Sequence, residues 1–141
     1  MDVNDCFKER LLIRIPPNRE KVKSSIKIAE SKLEEAKKLL DAGFLSNAIL
    51  SAYTCMFHAA RALLYGDGFQ EKSHFAVFVY LNEKYSDKIP RSLINSFNNY
   101  RNERHDILYG FENYSGKEDA ENAVITSEDF LFKIKEILGD S

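Results

Sequence analysis

Residues 45–65 read LSNAILSAYTCMFHAARALLY, and this stretch decides the fold. Its apolar side chains cover more than one stripe at helical spacing. They are Ala48, Ala52, Cys55, Met56, Ala59, Ala60, Leu63 and Leu64. A helix that is apolar on several faces is buried among other helices. We therefore expect residues 45–65 to form the central helix of a bundle and the most buried one.

Two further helices are predicted on either side of this stretch. Residues 18–42 place apolar side chains four and three positions apart, which is one face of a helix, and Gly43 is suited to end it. Ser73 is a suitable N-cap for a shorter helix over residues 74–85, because its hydroxyl can accept a hydrogen bond from a free backbone N–H.

The remainder of the chain continues the helical pattern. Pro90 is tolerated in the first turn of a helix, which we expect to run to about residue 109. A last helix begins between residues 117 and 119 and extends to 138. Alternation typical of strands, with hairpin turns between, is absent. The sequence predicts an all-α protein, an up-and-down antiparallel four-helix bundle with an extra short helix.

Length and composition narrow the class of protein. A chain of 141 residues suits one domain with one core, which we assign to residues 18–138, with residues 1–17 as an N-terminal segment. The formal net charge of −2 argues against a surface that binds a nucleic-acid backbone throughout, so any such contact is expected to be local.

The cysteines and the apolar stretches of the chain bear on cellular location and on metal binding. Cys6 and Cys55 follow no CxxC or Cys/His spacing, so neither a zinc site nor a disulfide framework is predicted. No stretch approaches the ~20 apolar residues of a membrane span, and the first residues lack the apolar core of a signal peptide. We expect a cytoplasmic protein with no metal, no cofactor and no membrane contact.

One residue of the fourth predicted helix interrupts the apolar stripe. Leu93, Phe97, Tyr100 and Ile107 follow the four and three spacing, but the position between the last two is Arg104. A guanidinium group on an inner face must be paired or reach water, because stranding a charge in an apolar core costs several kcal/mol. Departures of this kind are expected at functional sites.

Polar residues surround Arg104 on the same helix. Arg101 and His105 lie four apart and share a ridge, and Asn102 and Asp106 form a similar pair one step around. Two interpretations remain open for this cluster. It is either a functional site or a network of surface ion pairs that holds the helix to its neighbours.

The other histidines and the aromatic residues are mostly explained by packing. His58 lies among apolar neighbours in MFHAAR, which favours a structural histidine over a catalytic one. His74 follows the N-cap Ser73 and fits a loop or cap contact as well as a chemical role. Aromatic residues make up 12% of the chain, and their helical spacing favours core packing over base stacking.

Residues 47–74, NAILSAYTCMFHAARALLYGDGFQEKSH, resemble the long central helix and following turn of prokaryotic HEPN proteins. The residues that carry the resemblance are Ala48, Tyr53, Phe57, Ala59, Ala60, Arg61, Ala62, Leu63, Leu64, Gly68, Ser73 and His74. The preceding helix and the segment RNERHDILYG also occur in the expected order. The resemblance thus covers roughly residues 18–138.

The resemblance implies a helical bundle that dimerises, in a family whose better understood members are metal-independent ribonucleases acting as toxins or defence effectors. Their motif is an arginine, a polar residue, and a histidine further along. With Arg104 as the arginine, His105 takes the polar position and Tyr109 stands where the histidine belongs. With Arg101 and Asn102 as the start, His105 follows one residue too early.

These departures from the family motif affect which residue could act as the base in RNA cleavage. Cleaving RNA without a metal needs a base near neutral pH and a cation to stabilise the phosphate, which suit histidine and arginine. A phenol such as Tyr109 is a poor base at neutral pH, so a ribonuclease would have to use His105 as acid and base, with Arg101 or Arg104 on the phosphate.

Three functions follow from the resemblance. The first is a component of a toxin–antitoxin-like or nucleotide-binding pair with a minimal nucleotidyltransferase as partner. Its site of Arg101, Arg104, His105 and Tyr109 would lie near a homodimer seam, with Arg101, Asn102 and Arg104 binding nucleotide or RNA and Tyr109 accepting a nucleotide. The second is a metal-independent ribonuclease, and the third is a non-catalytic helical adaptor.

Overall fold

The computed structural model describes residues 1–110 and 116–139. In chain order the elements are α1 (Val3–Lys8), β1 (Leu12–Arg14), α2 (Arg19–Asp41), α3 (Leu45–Asp67), β2 (Phe69–Glu71), α4 (His74–Lys84), α5 (Arg91–Leu108) and α6 (Lys117–Leu138). Helices dominate, which confirms the predicted all-α class. None of the helices in the described ranges is both long enough and apolar enough to span a membrane.

The third helix occupies the centre of the protein, as the sequence predicts. It packs against α2, α5 and α6, and more of its residues are buried than of any other helix. It ends at Gly68, whose φ of +89° suits glycine, and whose N–H donates to the carbonyls of Leu64 and Tyr65. A Cβ atom at Gly68 would lie 3.1 Å from the carbonyl oxygen of Ile15, so the close approach also favours glycine.

Local signals place the other helix ends where the sequence predicts them. Gly43 follows the last turn of α2 with a φ of +83°. The Ser73 hydroxyl accepts a hydrogen bond from the backbone N–H of Ala76 at 3.1 Å and caps α4. Pro90 lies at the N-cap of α5, one residue earlier than the first turn that we expected.

Aromatic stacking joins three of the helices through the core. The ring of Phe97 on α5, which is fully buried, stacks at 5.5 Å on Tyr53 of α3 and at 5.5 Å on Phe130 of α6. Rings in such offset pairs contribute about 1 kcal/mol beyond their buried area. This stack fixes the position of Tyr53, which reaches from the core to the site described below.

The sequence does not predict α1 and β1 in the N-terminal segment, nor β2, the strand with which β1 pairs. Strands β1 and β2 pair antiparallel, with Leu12 opposite Glu71, and the side chains of Val3, Cys6 and Leu12 are buried in the core. Three residues per strand are too few to show an alternating pattern, so only the pairing reveals them. Residues 1–17 therefore contribute apolar surface to the core of the bundle.

Candidate functional site

The polar residues of α5 lie on two different faces of that helix. The side chains of Arg101 and Arg104 are half-buried, whereas Asn102, His105 and Tyr109 are exposed. Arg104 therefore does not lie stranded in the core, in keeping with the solvent access that a guanidinium group requires. The two arginines are the residues that the fold brings toward α3 and α4.

Arg101 is held in place by two neighbours. Its Nε and Nη2 donate to the amide oxygen of Asn98 at 3.1 and 3.0 Å, and its guanidinium carbon lies 5.1 Å from the centre of the Phe75 ring. The amide is neutral and the ring carries no net charge, so neither contact cancels the positive charge of Arg101. A cation over an aromatic face is stabilised by about 0.5–1 kcal/mol.

His74, the first residue of α4, is close enough to the two arginines for their charges to act on its ring. Its Nδ1 is 2.8 Å from the hydroxyl of Tyr53, which is 1% exposed, and its ring stacks on Phe57 with 4.0 Å between centres. These contacts fix the orientation of the imidazole. Because Nδ1 is engaged with the phenol, Nε2 is the nitrogen at which the ring can meet a ligand.

The charges around His74 have a clear effect on its ionisation. Burial, and then the positive charges of Arg104, Arg101, Arg61 and His58, lower the pKa of His74 from 6.5 to about 4. Burial raises the pKa of Tyr53, and the same two arginines of α5 oppose that rise. At neutral pH both partners of the hydrogen bond are therefore uncharged, and the surrounding charge is positive.

The third arginine near His74 is already neutralised. Arg61 donates from Nε to the Glu71 carboxylate at 2.7 Å and from Nη2 to the Tyr65 hydroxyl. Its guanidinium lies 5.5 Å from the centre of the Phe57 ring, so it ties α3 to β2 beneath the imidazole of His74. By contrast, the salt bridges between described residues include neither Arg101 nor Arg104.

His105 and Tyr109 form a separate, exposed pair at the end of α5. Their rings lie 4.6 Å apart at 36°, and His105 Nδ1 is 4.0 Å from the Asp106 carboxylate. The His105 side chain is 57% exposed and Tyr109 is 66% exposed. The predicted site residues thus divide into a half-buried arginine pair and an exposed pair of rings.

His58 is half-buried on α3, among the apolar neighbours that favour a structural role. Its ring meets Phe57 edge-on at 5.7 Å, and its buried Nδ1 has no hydrogen-bond partner among residues 1–110 and 116–139. Burial lowers the pKa of His58, and the charges of Arg61 and Lys32 lower it further.

Two members of the site were not assigned from the sequence. His74 does not cap α4, since Ser73 does so, and its ring instead faces Tyr53. The available signal was that Tyr53 and His74 both belong to the residues that carry the resemblance. Within the residues that the structure describes, no group of three or more His, Cys, Asp or Glu side chains could hold a metal ion.

Comparisons with known proteins agree with the architecture of the chain. The family model described as "HEPN domain" matches residues 22–137. A protein of Methanocaldococcus jannaschii named "Putative toxin MJ0605" is 30% identical over 125 residues, which span 85% of this chain and 90% of that protein. A protein of Pyrococcus horikoshii named "UPF0332 protein PH1297" is 45% identical over 58 residues, which span 41% of each chain.

Proposed function

The chain belongs to the HEPN family, and from this premise we propose that it is a toxin-like protein that binds the phosphate groups of a nucleotide or RNA through Arg101 and Arg104. One observation carries the proposal: the two guanidinium groups share one face of α5, half-buried, and no carboxylate among the described residues forms a salt bridge with either. The name of the relative from Methanocaldococcus jannaschii supports the toxin-like class.

The electrostatics of this face favour an anion. The protein as a whole carries a net charge of −2, so two neighbouring arginines that form no salt bridge with the described residues make a local positive region on an otherwise acidic molecule. A guanidinium group binds phosphate oxygens through two parallel hydrogen bonds, and partial burial of both arginines strengthens each bond. Binding should weaken with added salt, because a partly exposed site is screened.

Calorimetric titration with adenosine 5′-monophosphate and with a short RNA tests the proposal. Each charge-assisted hydrogen bond contributes about 1.5–3 kcal/mol, so Arg101→Gln/Arg104→Gln should weaken binding at least about ten-fold. Arg91→Gln is a matched control, because Arg91 is an exposed arginine at the other end of α5. Equal affinity for both ligands in the double variant and in the wild type would reject the arginine site and favour a structural adaptor.

A ribonuclease is a second candidate, and the exposure of His105 favours it. An imidazole that is 57% exposed and adjacent to Arg104 in sequence is accessible to an RNA 2′-hydroxyl. The test is cleavage of RNA by the purified protein with a chelator present. Cleavage that survives the chelator and disappears in His105→Ala would support this candidate, whereas no cleavage by the wild type would exclude it under those conditions.

The exposed hydroxyl-bearing ring of Tyr109 suits the role of nucleotide acceptor in a pair with a nucleotidyltransferase. In that reaction the phenol oxygen bonds to the α-phosphorus of a nucleoside triphosphate, the phenol proton is lost, and pyrophosphate leaves. Mass spectrometry after co-expression with such an enzyme should locate one nucleotide on Tyr109. An adduct that persists in Tyr109→Phe would place the acceptor elsewhere.

We also propose that the protein forms a homodimer and is cytoplasmic. Leu108 and Tyr109 expose 50% and 66% of their surface at the end of α5, which is where a homodimer seam near the site would bury them. Light scattering that gives only a monomer at all practical concentrations would reject the dimer.

Cys6 and Cys55 are free thiols in the interior, which is compatible with the reducing cytoplasm.

A further inference from the structure

We infer that His74, held by Tyr53, is a third ligand-binding group of the arginine site and binds a proton more readily when a phosphate group is bound there. The inference rests on the proposed phosphate site of Arg101 and Arg104, and adds to it a residue on a different helix. It also gives the buried hydroxyl of Tyr53 a positioning role.

The packing of α4 against α5 brings these groups together. His74 and Phe75 are consecutive residues in the first turn of α4. The guanidinium carbon of Arg101 lies 5.1 Å from the centre of the Phe75 ring. The ring of His74 is fixed between the Tyr53 hydroxyl at 2.8 Å and the face of Phe57 at 4.0 Å. The charges of Arg104 and Arg101 act on this imidazole, whose orientation is already set, so we expect an anion held by the arginines to be within its reach.

The hydrogen bond to Tyr53 suits both protonation states of the ring. In the neutral ring, the Tyr53 hydroxyl donates to Nδ1 and Nε2 carries the hydrogen that can be donated to a phosphate oxygen. In the protonated ring, Nδ1 donates to the phenol oxygen and Nε2 again donates to the ligand. His74 can thus gain a proton and a charge without giving up either contact.

The charges that surround His74 link its protonation to anion binding. Arg104, Arg101, Arg61 and His58 all disfavour a positive imidazole, and burial keeps its pKa at about 4. Arg61 is already paired with Glu71, whereas Arg101 and Arg104 form no salt bridge within the described part of the chain, so the arginines of α5 supply most of this positive charge. A phosphate on those arginines offsets their positive charge, which should raise the pKa of His74, and by linkage protonation of His74 should strengthen binding.

Nuclear magnetic resonance titration of the whole chain with inorganic phosphate tests the inference. An opposite charge at close range shifts a pKa by about 1–3 units, so saturating phosphate should raise the pKa of His74 by about one unit or more. Sodium chloride at matched ionic strength should not do so. Arg101→Gln/Arg104→Gln should abolish the shift caused by phosphate, and Arg91→Gln should retain it.

Affinity measurements give an independent readout. Because a hydrogen bond to a charged group contributes about ten-fold in affinity, His74→Gln should weaken phosphate binding about ten-fold at pH 5.5. Tyr53→Phe keeps the buried ring but removes the hydroxyl, and should weaken binding less than His74→Gln does. The wild-type titration needs no substitution, so a variant that fails to fold does not prevent the test.

The outcomes separate this inference from the proposed function. If adenosine 5′-monophosphate binding depends on the two arginines but phosphate leaves the titration of His74 unchanged, the inference is wrong and the arginine site stands. If the resonances of His105 respond instead of those of His74, the inference is also wrong. If nucleotide binding does not depend on Arg101 and Arg104, the proposed site and this inference both fail.

Discussion

The stability of the protein should fall between pH 6.5 and pH 4 because of His74. The folded state holds the pKa of His74 at about 4, whereas the unfolded chain restores it to 6.5. As the pH falls below 6.5, the unfolded chain binds the proton first, and folding loses about 1.36 kcal/mol per pH unit. The full interval corresponds to about 3 kcal/mol, which we reduce to about 2 kcal/mol because solvent screens part of the field around a half-buried ring.

Urea denaturation of the wild type and of His74→Gln at pH 7.5, 6, 5 and 4.5 measures this contribution. Carboxylates such as Glu35, whose pKa is lowered by hydrogen bonds from Lys32 and Ser51, also destabilise the fold at low pH, so the difference between the two proteins is the relevant quantity. The wild type should lose about 1–2 kcal/mol more than His74→Gln between pH 7.5 and pH 4.5. Identical losses would refute the argument that burial and the arginines act on this imidazole.

Three further perturbations test the packing. Phe97→Ala removes the buried ring between Tyr53 and Phe130 and should lower the free energy of unfolding in urea by about 3–5 kcal/mol. Phe97→Leu should lower it less, and equal losses in the two variants would contradict a contribution from stacking. Gly68→Ala should cost about 1–2 kcal/mol because of its positive φ and the 3.1 Å approach to a carbonyl, and calorimetry that shows no fall in Tm would contradict this. Leu108→Glu should shift the proposed homodimer toward monomer in light scattering, while a dimeric mass that stays unchanged would contradict a seam at Leu108.

Most of the helices could be predicted from the sequence, whereas the arrangement of the candidate site could not. The ends of α2 and α4 could be predicted because Gly43 and Ser73 act on backbone groups within a few residues of themselves. The burial of α3 followed from its composition alone. Arg104 could be recognised as exceptional because an apolar stripe makes a charged residue conspicuous, but its surroundings could not.

The residues around Arg104 come from three helices, and only the packing of those helices brings them together. Tyr53 lies in the middle of α3 and His74 begins α4, so nothing in their spacing along the chain indicates a hydrogen bond of 2.8 Å between them. The pairing of Leu12 with Glu71 is equally non-local. The sequence by itself determined the long helices, the ends of α2 and α4, and the family, because hydrophobic periodicity and capping act over a few residues. The tertiary structure decided which polar groups meet, because their ionisation and their hydrogen bonds depend on neighbours that are distant along the chain.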